Sequence, residues 1–243
     1  MTLSDRTLDD LLKEIRYVLF DFDGPICNLF AKRAASRVAK GMVSIVKRRG
    51  FQAAELSLPD SPIDVLRDAS RRWGAEHPRL IRELAERLVD EEVRAARDAE
   101  PVDGLEDLLV TLARIGCKMA ITTNNSAESV MVYLKGAPIS GYFGGYVFGR
   151  QDPESMKPEP DCLIRAMKEL RTGGDTARTV LMVGDSPADV AASRGAGVSF
   201  LGYSGGSPDK LRKLLQAGVP RAHVLHSLGT LRDFFERREE DRR

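Results

Sequence analysis

Two aspartates one residue apart, Asp21 and Asp23, close an apolar run and precede Gly24-Pro25. Carboxylates that close are costly unless a cation or a proton shares their site; the same pair also suits a plain turn. A second pair lies in Gly184-Asp185-Ser186-Pro187-Ala188-Asp189. With Asp185 at a strand end and Asp189 one helical turn on, both can face one hard cation, or the segment can simply cap a helix. Between the pairs stand Thr122-Thr123-Asn124-Asn125 and Lys157-Pro158-Glu159-Pro160. A hydroxyl and free N–H groups at a helix start suit a phosphate, although Asn125-x-x-Glu128 also reads as a capping box. The prolines fix the backbone around Lys157 and present it before a helix; a lysine in such a loop is ordinarily a solvated surface residue.

All four clusters follow apolar runs. The strand-like segments are 17–22, 118–122, 146–148, 180–183, 198–201 and 224–225. Helical periodicity covers about 104–115, 126–135, 159–171, 187–195 and 208–217, the last opened by Ser207-Pro208 and closed by Gly218. Leu8, Leu11, Leu12 and Ile15 add an amphipathic helix with Thr7 as cap. Strand–helix alternation predicts a parallel Rossmann-like sheet with helices on both faces, and ligands gather at the carboxyl ends of such strands. One stretch departs from the alternation. From 29 to 100 only helical spacing occurs: Phe30, Ala34, Val38, Met42, Ile45; then 63–73; then Leu80, Leu84, Leu88. This predicts an all-helical insert over 29–100 in an α/β core made of 1–28 and 101–243. The closing run ERREEDRR reads as a solvated helix tail.

The remaining composition is exclusionary. Among 243 residues, 37 Lys+Arg balance 36 Asp+Glu, a net charge of +1, which gives no general attraction to nucleic acid or anionic lipid. No apolar run approaches the ~20 residues of a membrane helix, and the acidic, amphipathic N-terminus is unlike a secretory signal. Cys27, Cys117 and Cys162 form no CxxC spacing, so neither a disulfide framework nor a zinc site is expected, and a cytoplasmic location fits. Cys27 has no paired histidine that would make it a nucleophile. His77, His223 and His226 are scattered and read as structural.

In order and setting, the segments LFDFDG, ITTN, KPEP and VGDSPADVAASRGAG resemble the four motifs of the haloacid dehalogenase-like superfamily of phosphohydrolases. That resemblance implies Asp21 as the nucleophile that forms an aspartyl-phosphate, and Asp23 as the general acid and then base. It implies Mg²⁺ held by Asp21, the Asp23 main chain and Asp185, with Asp189 a direct or water-mediated ligand. Thr123 and the Asn124 backbone would bind phosphate, and Lys157 would offset the accumulated negative charge. The family usually carries a threonine where Pro25 stands, which leaves the setting of the Asp23 loop in question. An acidic residue at position 23 favours phosphate esters over halide displacement, since a leaving oxygen needs a proton.

An insert after the first motif resembles the type-one cap of phosphoglycolate-phosphatase-like enzymes. The 34 positions between Thr123 and Lys157 leave no room for a cap at the alternative site. A closing cap suits a small phosphorylated metabolite, with Lys32, Arg33, Arg37 and the 48–58 segment as candidates for specificity. The main expectation is therefore a Mg²⁺-dependent phosphomonoester hydrolase. Its rivals are a phosphosugar mutase of the β-phosphoglucomutase kind and a non-catalytic phosphometabolite-binding protein.

Overall fold

The computed structural model describes residues 7–32, 34–56, 61–174 and 176–240. Six strands, β1 (Tyr17–Phe20), β2 (Lys118–Thr122), β3 (Val147–Phe148), β4 (Val180–Gly184), β5 (Ser199–Tyr203) and β6 (Val224–Leu225), form one sheet in the order β3-β2-β1-β4-β5-β6. Every pairing is parallel. Eleven α-helices are described: α1 (Leu8–Leu12), α2 (Ala35–Arg48), α3 (Pro62–Trp73), α4 (Pro78–Asp98), α5 (Leu105–Arg114), α6 (Ala127–Gly136), α7 (Asp161–Leu170), α8 (Thr176–Thr179), α9 (Pro187–Ala196), α10 (Pro208–Gln216) and α11 (Leu228–Glu240). None is long and apolar enough to cross a membrane.

Strand alternation divides the core. Val18, Phe20, Met119, Ile121, Leu181 and Val183 pack with α1, α5, α6 and α11 on one face. Leu19, Ala120, Val180 and Met182 pack with α7 and α9 on the other. Strands buried on both faces read as unbroken apolar runs, which is why their existence was legible; the ends of β2 and β6 fall where the runs placed them, and those of the other four shift. β1 stops at Phe20 rather than at residue 22: the chain turns as the Phe22 N–H donates to Asp21 Oδ1 at 2.8 Å and the Cys27 N–H to the Phe22 carbonyl at 3.1 Å.

Helices α2, α3 and α4 close a second apolar cluster around Met42, Val46, Leu66, Leu84 and Leu88. α4 belongs to both clusters. Leu80, Leu84 and Leu88 face the insert, whereas Ala95 and Ala96 pack with the sheet-covering helices. The seam thus crosses one continuous helix of 21 residues. α11 carries the charged run to Glu240, and Arg114 of α5 pairs with Glu239 at 2.7 Å, so this run is anchored on one side.

Candidate active site

β1, β2 and β4 lie side by side, so the loops at their carboxyl ends meet over one spot. There Asp21, Asp23, Thr123, Asn124, Lys157, Asp185 and Asp189 all line a single cavity of about 360 Å³. A larger depression of about 730 Å³ on the insert, around Phe51 and His77, holds no comparable constellation.

Lys157 is the pivot. Far from the solvated lysine that its loop suggested, it is 2% exposed. Its ammonium lies 2.5 Å from Asp189 Oδ1 and 2.9 Å from Asp21 Oδ1, and donates to the Thr122 carbonyl at 3.1 Å. Burial opposes its charge, but Asp189 and Asp21 outweigh that and hold its pKa above the ordinary value. The Asn124 side chain clamps the same residue from the backbone side, accepting from Lys157 N at 2.7 Å and donating to Lys157 O at 2.9 Å. Sequence reasoning gave Asn124 a backbone role only; the side-chain clamp was not foreseen.

Burial pushes the Asp21 carboxyl up to about 7, with the Asp189 charge adding to it and Lys157 opposing. Burial also lifts Asp23 to about 6, against the Leu29 N–H that donates to its Oδ1 at 2.8 Å. Asp185 rises to about 6 for the same first reason, opposed by Lys210. Gly24 has a positive φ of 129°, and a Cβ there would sit 2.5 Å from Asp185 Oδ2, so glycine alone lets the two acidic loops approach. Pro25 does not disturb this loop: its closure uses Gly24 N to Cys27 O at 2.7 Å and Cys27 N, and needs no N–H at position 25.

Three carboxylates, Asp21, Asp185 and Asp189, each bring an oxygen within 4.8 Å of the others, a hard-donor set that fits a hard divalent cation. Asp189 is the most committed of them. It closes a capping box with Ser186 at the start of α9, its Oδ2 accepting from Ser186 Oγ at 2.6 Å and Ser186 N at 3.0 Å, while its Oδ1 meets Lys157. The capping and acidic-cluster readings of this segment are thus both true of the same side chains. The box expected at Asn125-x-x-Glu128 does not form. Ser126 caps α6, and Asn125 turns inward to accept from Thr123 Oγ1 at 3.0 Å and to donate to Glu92 at 3.2 Å.

Glu92 was missed from sequence. Fully buried on α4, it pairs with Arg150 at 2.9 Å and accepts from Ser126 N at 2.9 Å; Arg150 also donates to the Asn124 carbonyl at 2.7 Å. The insert's last helix is thereby bolted to the Thr123–Ser126 loop. The available signal was Glu92 at the next four-residue step of the Leu80-Leu84-Leu88 stripe, where a leucine would continue the pattern.

The specificity candidates need correction. Lys32 pairs with Glu100 at 2.9 Å and Arg49 with Glu83 at 2.7 Å, both outside the cavity. Neither Arg37 nor the described part of 48–58 lines it, and Arg33, Ser57 and Leu58 lie outside the described residues. α3 reaches the cavity instead. Arg67 pairs with Asp64 at 2.7 Å and donates to the Lys157 carbonyl at 2.5 Å, and Phe30 and Ile63 line the wall. Periodicity placed α3 but could not orient its polar face. The histidines keep to structural positions: His223 is buried under a short turn, and His226 Nδ1 lies 3.1 Å from Ser204 Oγ. Burial drives the Cys27 thiol far above its usual range, which leaves it no nucleophilic role.

A central parallel sheet with paired aspartates, a threonine loop and a buried lysine at its carboxyl edge defines a class of hydrolase. Residues 15–197 match the haloacid dehalogenase-like hydrolase family, and the chain belongs to it. The chain is 30% identical over 203 residues to the phosphoglycolate phosphatase of Yersinia pestis, covering 80% of this chain and 83% of that one. It is 32% identical over 116 residues to the pyrophosphatase PpaX of Halalkalibacterium halodurans, 47% of this chain and 52% of the other. Among solved structures, a HAD family hydrolase from Deinococcus radiodurans with bound phosphate and sodium matches with a TM-score of 0.58 at 22% identity, covering 93% of this chain and 97% of that one. The chain is therefore an enzyme of a hydrolase family whose curated relatives carry phosphatase names.

Proposed function

We propose that the chain is a Mg²⁺-dependent phosphomonoester hydrolase acting on a small phosphorylated metabolite through an aspartyl-phosphate. The observation that carries this reading is the Asp21 carboxylate at the floor of the cavity, 2.9 Å from the Lys157 ammonium and in the same pocket as Asp23. In the first step an Asp21 oxygen attacks phosphorus. The ester P–O bond breaks, its electron pair leaves on the alcohol oxygen, and Asp23 donates the proton. In the second step Asp23 takes a proton from water as the water oxygen attacks phosphorus, and the bond to Asp21 breaks to release phosphate. A carboxyl raised to about 6 can hold and return that proton near neutral pH. The Asn124 N–H and the Thr123 hydroxyl, turned away from the Asn125 side chain to which it donates at 3.0 Å, bind phosphate oxygens, and Lys157 balances their charge. Mg²⁺, held by Asp21, the Asp23 main chain and Asp185 with Asp189 alongside, offsets phosphate charge as a Lewis acid when bound. Phe30, Ile63 and Arg67 bound the space left for the rest of the substrate, and about 360 Å³ suits a small metabolite.

The test is phosphate release from an activated aryl phosphate with Mg²⁺, with chelator, and with Asp21→Asn as control. Metal-dependent release lost in the variant supports the reading. If hexose 6-phosphate accumulates from a hexose 1-phosphate without free phosphate, the mutase replaces it.

Asp23→Asn is expected to lower kcat roughly 10²- to 10⁴-fold, the usual worth of general acid–base catalysis, with no loss of Mg²⁺ affinity, because Asp23 contributes only its main chain there. Quench-flow kinetics of both half-reactions checks this; wild-type rates in both would strip Asp23 of its role.

The metal should also be visible in stability. Asp21, Asp23 and Asp185 have folded pKa values raised above the unfolded value, so their stabilising contribution is present at acidic pH and is lost as pH rises through about 6 to 7. A bound cation reverses that loss. At a Mg²⁺ concentration a hundred times its Kd the gain is about 2.7 kcal/mol, or about 5–10 °C in Tm for a chain of this size. The Mg²⁺-induced shift in a melting experiment should be full at pH 8 and much smaller at pH 5.5; equal shifts would disconnect the metal from these carboxylates.

A further inference from the structure

Lys210 belongs to none of the sequence motifs. It occupies the third residue of α10, after the Ser207 cap and Pro208, and its N–H donates to Ser207 Oγ at 3.4 Å. The first turn of a helix favours anions, so nothing in helix formation asks for a cation there. Its ammonium lies 2.6 Å from Asp185 Oδ2. It does not line the substrate cavity, and so reaches Asp185 from the α10 side.

The two lysines of the acidic cluster differ in freedom. The Lys157 side chain is 2% exposed and tied to Asp189, Asp21 and a carbonyl, so it cannot leave. The Lys210 side chain is 37% exposed, and its four-carbon stem can carry the ammonium into water without opening a void. Among the described residues Lys210 is the cation paired with Asp185, a carboxylate that the metal reading needs.

We propose that Lys210 is a built-in counter-ion that competes with the divalent cation for Asp185. It holds the acidic cluster together in the metal-free protein and raises the Mg²⁺ concentration at which the site fills. This inference rests on the metal-site reading above. Two consequences of opposite sign follow from one charge: removing it should tighten metal binding and weaken the metal-free fold.

The experiment is calorimetric titration of MgCl₂ into the chelator-treated full chain, for wild type, Lys210→Met and Lys210→Arg, with melting curves of each metal-free protein. Loss of a positive charge in contact with a ligand carboxylate is worth on the order of tenfold in affinity. Lys210→Met is therefore expected to bind Mg²⁺ about tenfold tighter and, without metal, to melt lower than wild type. Lys210→Arg should keep wild-type affinity. Equal or weaker binding by Lys210→Met overturns the proposal and makes Lys210 an orienting group for Asp185. Tighter binding by both variants also overturns it, since packing and not charge would then be the cause. Absence of Mg²⁺ binding in all three proteins removes the metal site itself, an outcome distinct from equal binding.

Discussion

Asp21→Asn is expected to lower phosphate release by at least about 10⁴-fold, the scale on which removal of a covalent nucleophile acts, while leaving the fold intact. The amide keeps the shape of the carboxylate and can still accept from the Phe22 N–H and from Lys157, but it cannot attack phosphorus. The stability outcome separates this from a folding defect. Because burial and Asp189 hold the Asp21 pKa near 7, its charge at pH 8 opposes the metal-free fold. The neutral variant should therefore melt no lower than wild type when both are stripped of metal, and should gain less from Mg²⁺. Steady-state turnover and melting curves on the same samples check both halves. Activity above about one per cent of wild type would move the nucleophile elsewhere.

The second large effect is on the fold. Lys157→Met should destabilise the protein by about 3–5 kcal/mol, the usual cost of leaving one half of a buried pair without its partner. That corresponds to a Tm lower by about 6–20 °C. Asp189 Oδ1 and Asp21 Oδ1 would lose their shared ammonium at 2.5 and 2.9 Å, and the Thr122 carbonyl its donor at 3.1 Å. The deficit should be largest at alkaline pH and shrink as pH falls toward about 7, because without Lys157 to oppose the shift Asp21 takes a proton at a higher pH than in the wild type. Turnover should fall by roughly 10²- to 10³-fold, as for loss of a charge-stabilising donor in a dry site. A surface lysine would show neither effect, so an unchanged Tm would return Lys157 to that class against its burial.

Much of this molecule is written in local patterns. Apolar runs closed by Asp21, Thr122 and Asp185 fix the strands, since only a strand buried on both faces reads as an unbroken run, and the carboxyl ends of those strands must share one edge of a parallel sheet. The helical spacing over 29–100 likewise marks α2, α3 and α4, which share the second apolar cluster, because one apolar stripe per helix demands a partner. What local patterns cannot carry is which polar groups meet across long separations. Lys157 and Asp189 are 32 positions apart, Glu92 and Arg150 are 58 apart, and each pair makes sense only after the sheet has stacked its loops. Lys157 looks like a surface residue until the fold removes its water. Arg67 looks like any basic residue of an amphipathic helix until α3 is turned over the cavity. The sequence by itself determined the set of chemical groups and the edge on which they gather, through periodicity and turn chemistry. Tertiary structure decided the charge pairing, the pKa values and the wall facing the substrate, because burial and distance are properties of the packed chain and not of its neighbours in sequence.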